Sequence, residues 1–98
     1  MDKVEAYTII QEELDAYKKK PYSELVSLID NPQTKEVRGK SSTLYQTEVQ
    51  VFWDDKKEEN IRIIGSIDNM SWYAFSPLTE DFIMVPNGKI INGEKNAT

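Results

Sequence analysis

The side chains in this sequence that could do chemistry are carboxylates, amines, guanidinium groups and hydroxyls, because there is no histidine and no cysteine. That absence excludes thiol nucleophiles, disulfides, Cys/His zinc sites and histidine-based triads. Glu48 and Asp68 are expected to share a sheet face with Arg62, and a carboxylate pair is what glycoside hydrolysis requires. A chain of 98 residues leaves little room for a sugar-binding cleft, so a solvated ion pair is favoured. The sequence therefore predicts no catalytic residue.

Residues 54–60, Asp-Asp-Lys-Lys-Glu-Glu-Asn, form an acidic segment that invites comparison with a calcium loop. A calcium loop needs a glycine at its turn and a final bidentate glutamate, and both are missing here. The two lysines also offset the negative charge. A glycine-rich loop that would cradle a phosphate is also missing. We therefore expect a solvated loop, with no metal and no cofactor.

The balance of charge argues against a polyanionic partner. Lysine and arginine number 12 against 17 aspartate and glutamate, for a net charge of −5. Nucleic-acid binding depends on basic patches, and the one basic run, at residues 18–20, suits a helix C-terminus. No apolar run approaches the roughly 18–20 residues of a membrane helix, and the first residues do not resemble a signal peptide. We expect a cytoplasmic protein that binds neither nucleic acid nor membrane.

Apolar residues recur at spacings of three and four through the first third of the chain, which predicts helix. The predicted apolar stripe is Val4, Tyr7, Ile10 (or Ile9), Leu14 and Tyr17. Asp2 is the expected N-cap, with Glu5 completing a capping-box-like pair. Pro21 should end this helix near Lys20 and start a second short helix, which residues 30–32 stop. The first third is thus a kinked helix or a helix pair.

After Pro32 the apolar period changes to two, which predicts strands. The expected strands are residues 35–38, 43–53, 61–68 and 72–75. Pairing Trp53 with Ile61 across the acidic loop sets the register of the two longest strands. Asn87-Gly88 between apolar runs predicts a hairpin over residues 82–91. Residues 76–80 are predicted as a short helical turn, because Pro77 follows a serine that can cap it.

These elements predict an α+β fold, in which the N-terminal helix or helix pair packs on one face of a four- to five-stranded antiparallel sheet. Residues 1–91 are expected to form a single domain, with residues 92–98 as a polar, frayed tail. The predicted core is Ile10, Leu14, Leu25, Val49, Val51, Ile63 and Ile67.

An aromatic cluster is predicted on the sheet face away from the helices. Its members are Phe52, Ile64, Tyr73 and Phe75, with Gln50 and Arg62 at the rim. This assignment assumes an even-numbered turn after Asp68, and a three-residue turn would exchange Tyr73 for Trp72. An exposed apolar patch of this kind marks an interaction site. The competing interpretation is that residues 82–91 fold over the cluster.

The sequence therefore favours a small soluble, non-enzymatic module that binds another protein, with a homodimer as the simplest form. The alternative is a small-ligand-binding protein or a small carboxylate-dependent enzyme, with a pocket between helix and sheet. The rings of Tyr7, Tyr17, Tyr22 and Tyr45 are expected to reach the core, and hydroxyls turned outward at the core's edge are favoured over hydroxyls that line such a pocket. A flat aromatic patch would favour the first interpretation, and a cavity lined by tyrosine and an unpaired acid the second.

Overall fold

The fold is seen in a computed structural model that describes residues 2–69 and 77–91. Two helices come first, α1 (Lys3–Lys18) and α2 (Tyr22–Val26). Five strands follow: β1 (Gln33–Arg38), β2 (Leu44–Trp53), β3 (Ile61–Asp68), β4 (Leu78–Met84) and β5 (Ile90–Ile91). The strands form one antiparallel sheet in chain order, with α1 on one face. The α+β prediction is confirmed.

The N-terminal third is a helix pair divided at Pro21, as the sequence predicts. The side chain of Asp2 caps α1 by accepting a hydrogen bond of 3.0 Å from the Glu5 N–H. The predicted reciprocal bond of the capping box, from the Asp2 N–H to the Glu5 side chain, is wrong. The Glu5 carboxylate accepts hydrogen bonds from Ser41 and Tyr45 instead. Neither helix in the described ranges is long and apolar enough to cross a membrane.

The buried face of α1 is rotated from the predicted stripe. Its buried residues are Ala6, Ile10 and Leu14. Ile10 and Leu14 lie over Gly65 of β3, where an added Cβ would stand 3.0 Å from Ile10 Cδ1 and 3.1 Å from Leu14 Cδ2. The missing side chain lets the helix approach the sheet closely. Val4 and Tyr7 point away from this contact and are exposed, and the exposed fraction of Val4 is 79%. The prediction that these two residues belong to the buried stripe is therefore wrong.

The register of the two central strands is the predicted one. Trp53 pairs with Ile61 and Val51 with Ile63, so alternate residues of both strands face α1. The seven residues of the predicted core are at most 3% exposed. This arrangement confirms the assignment of the two sheet faces.

The neighbour of β3 on its second edge differs from the prediction. β4 occupies that edge, from Ile67↔Leu78 to Ile61↔Met84. Pairing of residues 72–75 with β3 is therefore wrong, and those residues themselves lie outside the described ranges. The predicted helical turn at residues 76–80 is also wrong, because the chain is already a strand from Leu78 onward. Pairing with the free edge of β3 satisfies the backbone hydrogen-bonding groups of β4, and this outweighs the local tendency of Pro77 to start a helical turn.

The predicted hairpin near the end of the chain is confirmed, but it extends the sheet. Gly88 has φ +91° at the turn, and Asn87 Oδ1 accepts a 2.8 Å hydrogen bond from the Lys89 N–H. Ile83 then pairs with Ile91, which joins β4 to β5. The interpretation in which residues 82–91 fold over the opposite face is therefore wrong.

Candidate functional site

The sheet face opposite α1, which we name the outer face, carries a cross-strand row of three apolar residues and one arginine, which we name the apolar row. The row consists of successive cross-strand partners, Phe52, Arg62, Ile83 and Ile91. The adjoining row consists of Gln50, Ile64 and Asp81. We name these seven residues the outer-face patch. Phe52 and Ile91, at the two ends of the first row, are 44% and 40% exposed, whereas Ile83 between them is buried.

The structure brings together four of the six predicted interaction residues. Gln50, Phe52, Arg62 and Ile64 are direct or adjacent neighbours on β2 and β3. Tyr73 and Phe75 lie outside the described residues. Sequence reasoning missed Ile83 and Ile91, although the Asn-Gly turn between them was recognised. Period-two alternation along residues 78–84 would have placed Ile83 outward had this segment been paired with β3.

Arg62 is held at the centre of the patch by two carboxylates. Its Nε lies 2.9 Å from Asp54 Oδ1, and its Nη1 donates to Asp81 Oδ2. Partial burial lowers the pKa of Arg62, but the hydrogen bonds to Asp81 and Asp54 raise it above the ordinary value. The predicted companions Glu48 and Asp68 lie opposite Ser66 and Gln46, further along the same face. The guanidinium is thus fixed between two carboxylates, and the three groups together carry a charge of −1.

The tyrosines that the alternative interpretation places around one pocket point to separate places. Three of their hydroxyl groups have partners on different elements. These partners are the Glu5 carboxylate for Tyr45, the Glu59 carbonyl for Tyr22 and the Glu80 carboxylate for Tyr7. The ring of Tyr17 instead lies 5.6 Å from Lys20 Nζ. The tyrosine-lined pocket of the alternative interpretation therefore does not form from these four residues.

A polar cavity of about 180 Å³ lies between α1 and β4. Its lining is Gln11, Leu14, Asp15, Lys18, Glu80 and Asp81. Each acid there has a partner, since Asp15 pairs with Lys18 at 3.7 Å, Asp81 with Arg62, and Glu80 with Tyr7. Within residues 2–69 and 77–91, no group of three or more acidic side chains is arranged to hold a metal ion. This cavity therefore lacks the unpaired acid that would favour ligand chemistry.

Glu5 ties the start of α1 to the turn between β1 and β2. Its carboxylate accepts hydrogen bonds from the Ser41 N–H at 2.9 Å, the Ser41 hydroxyl at 2.6 Å and the Tyr45 hydroxyl at 2.7 Å. The bonds from Ser41, and then that from Tyr45, lower the pKa of Glu5. The pKa of Tyr45 is raised to about 12, mainly by burial and to a smaller extent by its hydrogen bond to Glu5. Gly39 leaves room, because an added Cβ would lie 2.6 Å from Glu5 Cδ.

We expect the free energy of unfolding to fall as the pH rises from 10.0, the ordinary pKa of tyrosine, toward about 12. The folded state holds the Tyr45 proton more tightly than the unfolded chain, so this contribution is complete below the ordinary pKa and lost above it. Urea unfolding of the wild type and Tyr45→Phe, from neutral to strongly alkaline pH, checks this. The variant should show a shallower decline, and equal declines would contradict the assignment.

The outer-face patch is thus the place where four of the six predicted interaction residues converge. Comparisons of the chain with protein-family models, with curated proteins and with solved structures found no match.

Proposed function

We propose that this chain is a small, non-enzymatic protein-interaction domain that binds a second copy of itself through the outer-face patch. The observation that carries the proposal is the row from Phe52 to Ile91, which has an exposed apolar side chain at each end. Clustered apolar side chains on the surface of a small domain favour contact with a partner.

The composition of the patch supports an interface. Aromatic residues and arginine are enriched in the buried centres of protein interfaces. Arg62 already has Asp54 and Asp81 as partners, so covering it would not leave the guanidinium without a countercharge. Gln50 and Asp81 supply a polar border on one side of the apolar row.

A second copy is the occupant that the patch suits best. A twofold axis places the same surface on both partners, so each apolar row would be buried by its counterpart. The β4–β5 hairpin supports this choice, because it adds Ile83 and Ile91 to the patch. Each copy carries a charge of −5, so screening by salt should strengthen the association.

Sedimentation velocity on wild type and Phe52→Glu tests the proposal. We expect the wild type to sediment as a dimer at micromolar concentrations and Phe52→Glu as a monomer, because the interface would have to bury a new charge. The monomer fold should tolerate the change, since Phe52 is 44% exposed and its cross-strand partner is Arg62. Ile91→Glu, at the other end of the row, should dissociate the dimer in the same way.

Val4→Glu is the matched control, because it makes the same kind of change at an exposed residue of α1, on the opposite side of the sheet. This variant should remain dimeric. The proposal is overturned if the wild type is monomeric throughout the micromolar range. It is also overturned if Val4→Glu dissociates the dimer as strongly as Phe52→Glu does.

A further inference from the structure

A second feature, which we name the β2-edge notch, lies where β1 leaves the edge of β2. The notch has a volume of about 280 Å³, and its lining is Leu28, Asp30, Asn31, Pro32, Gln50, Val51 and Phe52. β1 accompanies β2 only as far as Gln33↔Val49, and an isolated bridge joins Ile29 to Val51. Residues 30–32 therefore form one wall between two fixed points, and β2 forms the other.

The notch combines apolar lining residues with one acidic and two amide residues. The apolar part comes from Leu28, Pro32, Val51 and Phe52. The side chains of Asp30, Asn31 and Gln50 make no hydrogen bond or ion pair with other residues in the described ranges. No lysine or arginine is among the residues that line the notch. It thus offers a carboxylate and two amide oxygens to a donor brought by another molecule.

We infer that the β2-edge notch binds an arginine side chain from a basic segment of a partner protein. A guanidinium group carries five N–H donors in one plane and forms paired hydrogen bonds with a carboxylate such as that of Asp30. The face of the Phe52 ring attracts a cation, and the apolar lining suits the methylene stem. The net charge of −5 attracts a basic segment at long range. This inference does not require self-association, and a dimer would compete with it, because Gln50 and Phe52 belong to both the notch and the outer-face patch.

An NMR titration of the full chain tests the inference, with the capped tripeptide acetyl-Gly-Arg-Gly-amide as the probe. The matched probe carries citrulline in place of arginine, which keeps the shape and removes the charge. At low salt we expect saturable amide shifts at residues 28–32 and 50–52 with the arginine peptide. We expect binding at least tenfold weaker with citrulline, because a charge-assisted hydrogen bond is lost. Shifts spread evenly over the acidic surface would overturn the inference.

Asp30→Asn identifies the carboxylate responsible. Asp30 has φ 65°, a left-handed conformation that asparagine also tolerates, so the loop should keep its shape. We expect the affinity for the arginine peptide to fall about tenfold, the effect of losing one charge-assisted hydrogen bond. Asp55→Asn makes the same change of net charge in the exposed loop between β2 and β3, and should bind like the wild type. Equal losses in the two variants would overturn the site.

Repeating the titration on Ile91→Glu separates this inference from the proposed self-association. Ile91 belongs to the outer-face patch and does not line the notch. The arginine peptide should bind this variant at least as tightly as the wild type, because a wild-type dimer would cover Gln50 and Phe52, which belong to both surfaces. Loss of binding in Ile91→Glu would count against the notch as an independent site.

Discussion

Ile63→Ala is expected to lower the free energy of unfolding by about 2–5 kcal/mol, the range for isoleucine-sized truncations in a packed core. Ile63 is fully buried, lies between Val51 and Phe82 on the sheet, and belongs to the larger core cluster beneath α1 and α2. Truncation removes favourable transfer energy and leaves a cavity that the two neighbouring strands cannot close. Urea unfolding followed by circular dichroism measures the loss.

Ile64→Ala is the matched control, since it makes the same change one residue later on the outer face. Ile64 is half-buried, between Gln50 and Asp81, so its truncation should cost clearly less than that of Ile63. Equal losses in the two variants would contradict the assignment of the sheet faces. Failure of Ile63→Ala to fold, with Ile64→Ala well folded, would agree with it.

Gly65→Val is expected to lower the free energy of unfolding by about 1–3 kcal/mol through overpacking. A Cβ added at this position would lie 3.0 Å from Ile10 Cδ1, and the two methyl groups of valine would extend beyond it. Relief requires α1 to move away from β3, which would weaken the packing of Ile10 and Leu14. The preference of strands for valine would otherwise make this substitution favourable. Urea unfolding checks the sign as well as the size.

Ser66→Val is the control for this change, because it puts the same side chain into the same strand on the outer face. Ser66 lies between Glu48 and Thr79, away from α1. We expect a change within about 0.5 kcal/mol, as for most surface substitutions. If Gly65→Val were as stable as Ser66→Val, the close approach of helix and sheet would be contradicted.

The central part of the fold could be predicted because its signals are long and mutually consistent. β2 and β3 alternate over 10 and 8 residues, and the loop between Trp53 and Ile61 allows few registers. A shift by one residue would have turned every core side chain outward. The buried face of α1 was harder to place. Val4 and Tyr7 fit a helical stripe, but the contact is decided by where Gly65 leaves space.

The candidate site was only half predictable, since its members come from strands whose pairing depends on the whole sheet. Phe52, Arg62 and Ile64 followed from β2 and β3 alone. Ile83 and Ile91 joined them because β4, and not residues 72–75, pairs with β3. The ion pair between Arg62 and Asp81 was unpredictable for the same reason, because Asp81 lies next to Arg62 only when β4 pairs with β3. The β2-edge notch could not be predicted, because one of its walls is a loop and a loop has no periodic pattern of apolar residues.

Intermolecular nuclear Overhauser effects in an equal mixture of ¹³C-labelled and unlabelled chains test the central claim most directly. An isotope-filtered experiment detects only contacts between different copies. The proposed dimer predicts cross-peaks between the Phe52 ring of one copy and patch methyl groups of the other, those of Ile64 and Ile91 first. Cross-peaks confined to α1, or none at a concentration where the wild type sediments as a dimer, would contradict self-association through the outer-face patch.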